Sequence, residues 1–139
     1  MSISILINYH YPIKLSFDVE TFILKALELK HVHDGSIEFT FIDDDYMKAL
    51  HKDYLDDPTE TDIMTFNLNT MAQPEGDIYI CIDEAKRNAL NLNIPLETEI
   101  KQLILHGILH LIGYTDTNSF DKTYMLDEQN RLLTLIDDN

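Results

Sequence analysis

The sequence predicts one α/β (α+β) domain over residues 1–139: a four-stranded, mainly parallel mixed sheet with one antiparallel strand, packed on a central helix and flanking helices. Three observations carry this. Strand-like and helix-like apolar periods alternate through the first half, the pattern of parallel strands joined by helical crossovers. Two strand-like runs, 62–68 and 77–83, then follow one another without a helix between them, and such neighbours pair antiparallel. Residues 103–112 form a helical stretch with no charged side chain, which belongs at the centre of a fold. A chain of 139 residues with no repeat and no Gly/Ser/Pro-rich linker fits a single core.

Taken in order, "ISILINY" (3–9) reads as a buried strand. Ser16 is placed to cap a helix from residue 17 to about 30, with Phe22, Ile23, Ala26 and Leu27 on one side. "SIEFTFID" alternates Ile37, Phe39 and Phe41 with Glu38 and Thr40, the period of a half-buried strand. Asp43 or Asp44 caps the next helix, whose Met47, Leu50 and Tyr54 make a narrow apolar stripe. "DYLDDPTETD", with Asp53, Asp56, Asp57 and Glu60, reads as a solvated acidic loop. The strands "DIMTFNL" (62–68) and "DIYICID" (77–83) are joined by a loop containing Pro74 and Gly76, and Asp83 starts a short helix through Leu90. Pro95 takes the first helical position of a longer helix with Glu97 and Glu99 in its first turn, and Gly113 ends it as a left-handed residue. "SFDKTYMLDEQNRLLTLI" is a last amphipathic helix.

With 10 Lys+Arg against 25 Asp+Glu, the formal net charge is −15. Such a surface favours solubility and opposes loose attraction to nucleic acid or anionic membrane, leaving space only for a small local basic groove. Cys81 is the lone cysteine, so no intrachain disulfide forms, no disulfide-linked partner is expected, and a reducing compartment fits. The start "MSISILINYHYPIKL" lacks the basic opening and small-residue cleavage site of a signal peptide, and the most apolar stretch, 103–114, is too short to span a bilayer. The expectation is a soluble, cytoplasmic domain with no membrane partner.

On the uncharged helix, Ile100, Leu103, Ile104, Ile108 and Leu111 share one side, and Leu105, Leu109 and Ile112 cover another. His106 and His110 make the remaining stripe, and a helix apolar nearly all round predicts imidazoles walled in by the fold. Residues four apart have Cβ atoms about 5–6 Å apart, so two imidazole nitrogens can share one ion. Gly113 lets the chain turn back, and Asp116, six residues past His110, can return its carboxylate to that ion. Either histidine alone is more often a hydrogen-bonded core residue. The pair, the glycine and the carboxylate together predict one divalent metal per chain. His10, His31, His33 and His51 fall near element ends or on surfaces, and "HVH" (31–33) reads as a solvated helix end. Cys81, between Ile80 and Ile82, reads as core, and Asp77 as a strand-edge residue.

Three protein ligands leave an open position for water and make the ion a Lewis acid. A zinc peptidase of the His-Glu-x-x-His pattern carries its base directly after the first histidine, where this chain has Gly107. Phosphodiester chemistry therefore suits the site better than peptide hydrolysis. Gly107 also leaves space for a substrate backbone or a strand to approach the helix.

These residues resemble a known family. "HGILHLIGY" (106–114) resembles the signature of the YbeY family of rRNA maturation factors, single-domain metal-dependent endoribonucleases. "TDIMTF" (61–66) resembles that family's T-D-V-L-S-F segment, and "EGDIYIC" (75–81) its strand leading into the helical half. The three motifs keep the family's order and spacing over roughly the second half of the chain. The resemblance implies a single-strand-type endoribonuclease, a hydrolase of phosphodiester bonds, acting in rRNA maturation and ribosome quality control. It implies zinc as the metal, and as partners ribosomal RNA and the small ribosomal subunit or its associated proteins. The family's usual ending is G-Y-D-H, whose last histidine completes a three-histidine site; here Asp116 falls on that third-ligand position. Carboxylate for imidazole lowers the site's net charge by one and makes bound water less acidic. Many relatives carry Tyr-Arg ahead of the T-D motif where this chain has Tyr54-Leu55, so phosphate charge is left to the metal or to Lys52, Lys86 or Arg87. The resemblance also sets the strand of Asp62 and Thr65 beside the metal helix, which makes both candidate catalytic residues of the cleft wall. Asp62 reads equally as a loop end, and Thr65 as an ordinary strand residue.

Other readings remain beside this one. A metallopeptidase-like hydrolase fits the helix geometry but not Gly107. A non-catalytic ribosome-associated metal-binding module fits Leu55 and the acidic surface. Two histidines and a carboxylate also hold non-haem iron, and this ranks last because the companion features of an oxygenase barrel are absent.

Overall fold

The structure, a computed structural model, describes residues 2–54, 61–68 and 73–137, without the side chains of Asp53 and Tyr54. Leu55, Asp56, Asp57 and Glu60 lie outside these residues, so the acidic loop and the position of the family's arginine do too. Nine elements form along the described chain: β1 (Ile3–Tyr9), α1 (Val19–Leu29), β2 (Gly35–Ile42), α2 (Asp44–Tyr54), β3 (Ile63–Asn67), β4 (Glu75–Cys81), α3 (Ile82–Leu92), α4 (Leu96–Leu111) and α5 (Ser119–Asp137). The strands order as β1-β2-β4-β3. β1, β2 and β4 run parallel, and β3 pairs antiparallel with β4, with Thr65 opposite Ile78. This is the predicted mixed sheet.

Period-two alternation sorts the sheet's side chains onto two faces. Ile37, Phe39, Phe41, Ile78 and Ile80 face α1, α4 and α5, and Ile23, Leu27, Ile100, Ile104, Leu105 and Leu109 complete a dry interior there. Each such side chain contributes about 1.5–3 kcal/mol by leaving water. On the opposite face, Ile42, Met64 and Cys81 pack with Met47 and Leu50 of α2 in a smaller cluster.

Several local expectations are corrected. β1 is an edge strand rather than a buried one: it pairs only with β2, and its Leu6 is 54% exposed. α1 begins at Val19, not at residue 17, because Asp18 adopts the extended cap conformation and its carboxylate accepts from the Thr21 amide at 2.9 Å. Ser16 instead turns to the first turn of α4, donating its amide to Glu97 at 2.7 Å and its hydroxyl to the same carboxylate. Pro95 is the cap of α4 rather than its first helical residue, with ψ 146°. Cys81 occupies the cap position of α3, which has no side-chain cap, while Asp83 accepts the Asp44 amide at the start of α2. Asp43 caps α2 as expected, accepting from the Tyr46 amide at 2.9 Å.

One polar cluster joins the two ends of the helical layer. Lys30, just past α1, donates to Glu128 on α5 and to the Tyr114 hydroxyl, and Arg131 donates to Glu128 at 2.6 Å. The Arg131 hydrogen bond, helped by Lys30 and opposed by burial, lowers the Glu128 carboxyl to about 2. A carboxyl depressed on folding contributes stability that is complete above its ordinary value and is lost as pH falls through the lowered one. Glu128→Gln is therefore expected to cost about 2 kcal/mol near neutrality, a figure discounted because Arg131 stands half in solvent. The difference from wild type in urea unfolding should shrink below about pH 4.5 and close near pH 2. A penalty independent of pH would show that the ion pair is not its source.

Candidate metal centre

α4 places the two histidines and its end places the carboxylate. Gly113, with φ 113°, is the left-handed residue that ends the helix. Its amide donates to His110 O at 3.2 Å, and the Tyr114 amide donates to Leu109 O at 3.0 Å, the paired bonds of a Schellman cap. The chain then turns back beside α4. Tyr114 braces this turn, its ring stacked on Tyr124 at 5.6 Å and its hydroxyl bonded to Lys30. Asp116 Oδ2 comes to 3.9 Å from His106 Nε2, and on the other side of the ring His106 Nδ1 lies 3.3 Å from Gln129 Oε1 of α5. His110 follows one turn later on the same stripe.

The histidines are not walled in. Both are half-exposed, with 31% of the His106 side chain in contact with solvent: His106 has Asp116 on one side of its ring and Gln129 of α5 on the other. Among the described residues, no three His, Cys, Asp or Glu groups stand close enough together to hold an ion as they are placed. The donor set nevertheless suits one: two imidazoles and a carboxylate, with His106 anchored through Nδ1 so that Nε2 is the nitrogen turned toward Asp116.

Gly107 has a structural reason to be glycine. A Cβ there would meet Ile78 Cδ1 at 2.9 Å and Ile63 Cδ1 at 3.1 Å. The space that glycine leaves is taken by the protein's own β3 and β4.

Of the two cleft-wall candidates, Asp62 is drawn into the site. Asn88 donates its side-chain amide to Asp62 at 2.9 Å and also to Glu99 at 3.1 Å. Burial raises both carboxyls above the ordinary range, and the proximity of His106 partly offsets this for Asp62. Thr65 shares the α4-facing side of β3 with Ile63 and is half-buried, with no hydrogen bond to the histidines. The sequence did not mark Asn88 or Gln129 as site residues, and it offered Glu99 only as a first-turn acid of the long helix. Glu99 carried a signal, since it precedes His106 by seven residues, two helical turns on the same stripe. Gln129 did as well, as an amide within the apolar spacing of Met125, Leu132 and Ile136.

The remaining residues fall away from the centre. Cys81 is 1% exposed in the cluster beneath α2, and burial pushes its thiol up to about 12, so it is a core residue. Asp77 is not at a sheet edge: β4 is interior, and Asp77 lines a cavity of about 510 Å³ with Tyr46, Phe66 and Tyr79 on the α2 face. Arg87 is held by Asp44 at 2.6 Å and by Glu84 at 3.0 Å, and Lys86 by the Tyr11 hydroxyl, so neither stands ready for phosphate. His31 and His33 are exposed beyond the end of α1, as expected of a solvated helix end.

The family profile described as Endoribonuclease YbeY matches residues 9–137, from the end of β1 to the end of α5. The chain belongs to the YbeY family of endoribonucleases. A curated Endoribonuclease YbeY of Flavobacterium psychrophilum is 30% identical over 134 residues, covering 94% of this chain and 96% of the relative. The Endoribonuclease YbeY of Christiangramia forsetii is 34% identical over 119 residues, covering 85% and 82%. A solution structure from Thermotoga maritima superposes with a TM-score of 0.68 at 27% identity, covering 92% of this chain and 85% of that one. YbeY membership bears out the resemblance drawn from the three motifs, and with it the fold and the hydrolytic endoribonuclease class with RNA as substrate. No described helix is long and apolar enough to cross a membrane.

Proposed function

We propose that this YbeY-family chain is a metal-dependent endoribonuclease of ribosomal RNA maturation and quality control. It works in the cytoplasm with the small ribosomal subunit or its associated proteins, and one zinc is held by His106, His110 and Asp116. The observation that carries the metal reading is His106, gripped at Nδ1 by Gln129 and turned at Nε2 toward Asp116, with His110 one turn along the same half-exposed stripe. When bound, a divalent ion supplies Lewis acidity toward a phosphodiester oxygen. The chain's own groups do the rest. Asp62, its carboxyl raised by burial and fixed by Asn88, is the group best placed to hold a proton beside His106, as the notional base that Gly107 cannot be. Thr65 forms the α4-facing side of β3 as cleft wall. Arg87 and Lys86 are engaged elsewhere and the net charge is −15, so affinity for RNA comes from the site and from a ribosomal partner rather than from the surface field.

Purified protein is expected to cut ribosomal RNA in a reaction that a chelator stops and zinc restores, while leaving casein intact. In competition with a zinc chelator, Asp116→Ala should weaken binding about tenfold or more, and Asp116→His should match or exceed wild type. Equal affinity for Asp116→Ala and wild type would remove Asp116 from the ligand set. Casein cleavage without RNA cleavage would return the peptidase reading.

A further inference from the structure

α5 buries Met125, Gln129, Leu132 and Ile136. Three are apolar and one is an amide, which would cost about 1–3 kcal/mol there if left unpaired. It is paired at both ends. Gln129 Oε1 lies 3.3 Å from His106 Nδ1, and Gln129 Nε2 donates to Gln102 Oε1 at 3.5 Å. With its amino group given to Gln102, Gln129 turns its carbonyl toward His106. A carbonyl can only accept, so this contact is a hydrogen bond when the hydrogen of a neutral His106 sits on Nδ1. The Nε2 lone pair is then left bare on the side where Asp116 stands at 3.9 Å. Free imidazole side chains prefer the opposite arrangement, so the protein has to impose this one.

We infer that Gln129 is a positioning residue, which holds His106 in its Nδ1–H tautomer and thereby presents Nε2 as the ligating nitrogen. This rests on the metal reading for its functional meaning, but not for its test. Being neutral, the amide sets the tautomer without adding a second negative charge beside Asp116. The Gln102–Gln129–His106 relay thus ties the ring orientation to the docking of α5 on α4.

The tautomer is read directly from the imidazole nitrogen shifts in NMR of metal-free protein at about pH 8, where an ordinary imidazole is neutral. Wild type should show His106 as the Nδ1–H form. Gln129→Leu, which offers no acceptor, should revert to the Nε2–H form, and Gln129→Glu, which keeps one, should restore Nδ1–H. Chelator competition should show zinc affinity falling about 10–100-fold in Gln129→Leu, with recovery in Gln129→Glu. A purely structural role would move melting temperature without changing the tautomer. His106 found as Nε2–H in wild type overturns the inference, and so does an unchanged tautomer in folded Gln129→Leu. If that variant does not fold, the wild-type tautomer alone decides. A protein with Nδ1–H that binds no zinc upholds the positioning role and fails the metal reading instead.

Discussion

His110→Ala is expected to reduce metal-dependent RNA cleavage about a thousandfold, about 4 kcal/mol of barrier, to the level of chelator-treated wild type. The residue lies in the last turn of α4, half-exposed and outside the apolar core, so its truncation leaves no cavity among packed side chains. Melting temperature should therefore move little while activity is lost. That separation is what gives the experiment its force: a core residue would lower both together. The variant also guards against a contaminating nuclease, because it is purified in the same way as wild type. Equal cleavage by the two proteins would mean that the activity belongs to something else, and the chain would be left as a metal-binding module.

Gly107→Glu writes a His-Glu-x-x-His sequence into α4, yet it is expected to unfold the protein rather than create a peptidase. The first carbon of any side chain at this position meets Ile78 at 2.9 Å and Ile63 at 3.1 Å. Beyond that carbon, a carboxylate would enter an apolar seam between helix and sheet with no cation to meet it. The loss should exceed about 4 kcal/mol in urea unfolding. Gly107→Ala isolates the steric part: overpacking costs about 1–3 kcal/mol, partly offset by the roughly 1 kcal/mol that alanine gains in helix propensity. A stable, folded Gly107→Glu protein would show that the strands retreat more easily than their packing implies. The residue that departs from the peptidase pattern is thus explained by the sheet beneath it, before any chemistry is considered.

The sheet and its helices were legible because each depends on local periodicity. Ile37, Phe39 and Phe41 alternate as a strand must, and two successive strands with no helix between them pointed to one antiparallel pair, which is β3 with β4. Gly113 was legible for the same reason, since a helix end is a local event. What failed to show depends on partners distant in sequence. Ser16 has the chemistry of a cap but is claimed by Glu97, 81 residues away. Asp83 likewise serves α2 rather than its own helix. The exposure of the histidine stripe could not be read from α4 alone, because it depends on how α5 and the Asp116 turn are laid against it. Asn88 and Gln129, ordinary amides in a list of residues, acquire meaning only from the carboxylates and the imidazole that they meet.

The candidate ligands occupy a short stretch, 106–116, but the groups that restrain them come from far along the chain. Gln129 reaches His106 across 23 residues, and Lys30 reaches Tyr114 across 84. A peptide copying α4 and its turn would hold every donor atom and none of that restraint. Ion affinity at the proposed site would consequently be a property of the whole cooperative unit, complete only after the slowest long-range contacts have closed. The dependence also runs in reverse: an ion present at a hundred times its dissociation constant would add about 2.7 kcal/mol to the free energy of unfolding. For a marginally stable domain that is a large fraction of the whole. The supply of metal would then govern how long elements outside the 106–116 stretch, β1 and α1 among them, remain folded at all.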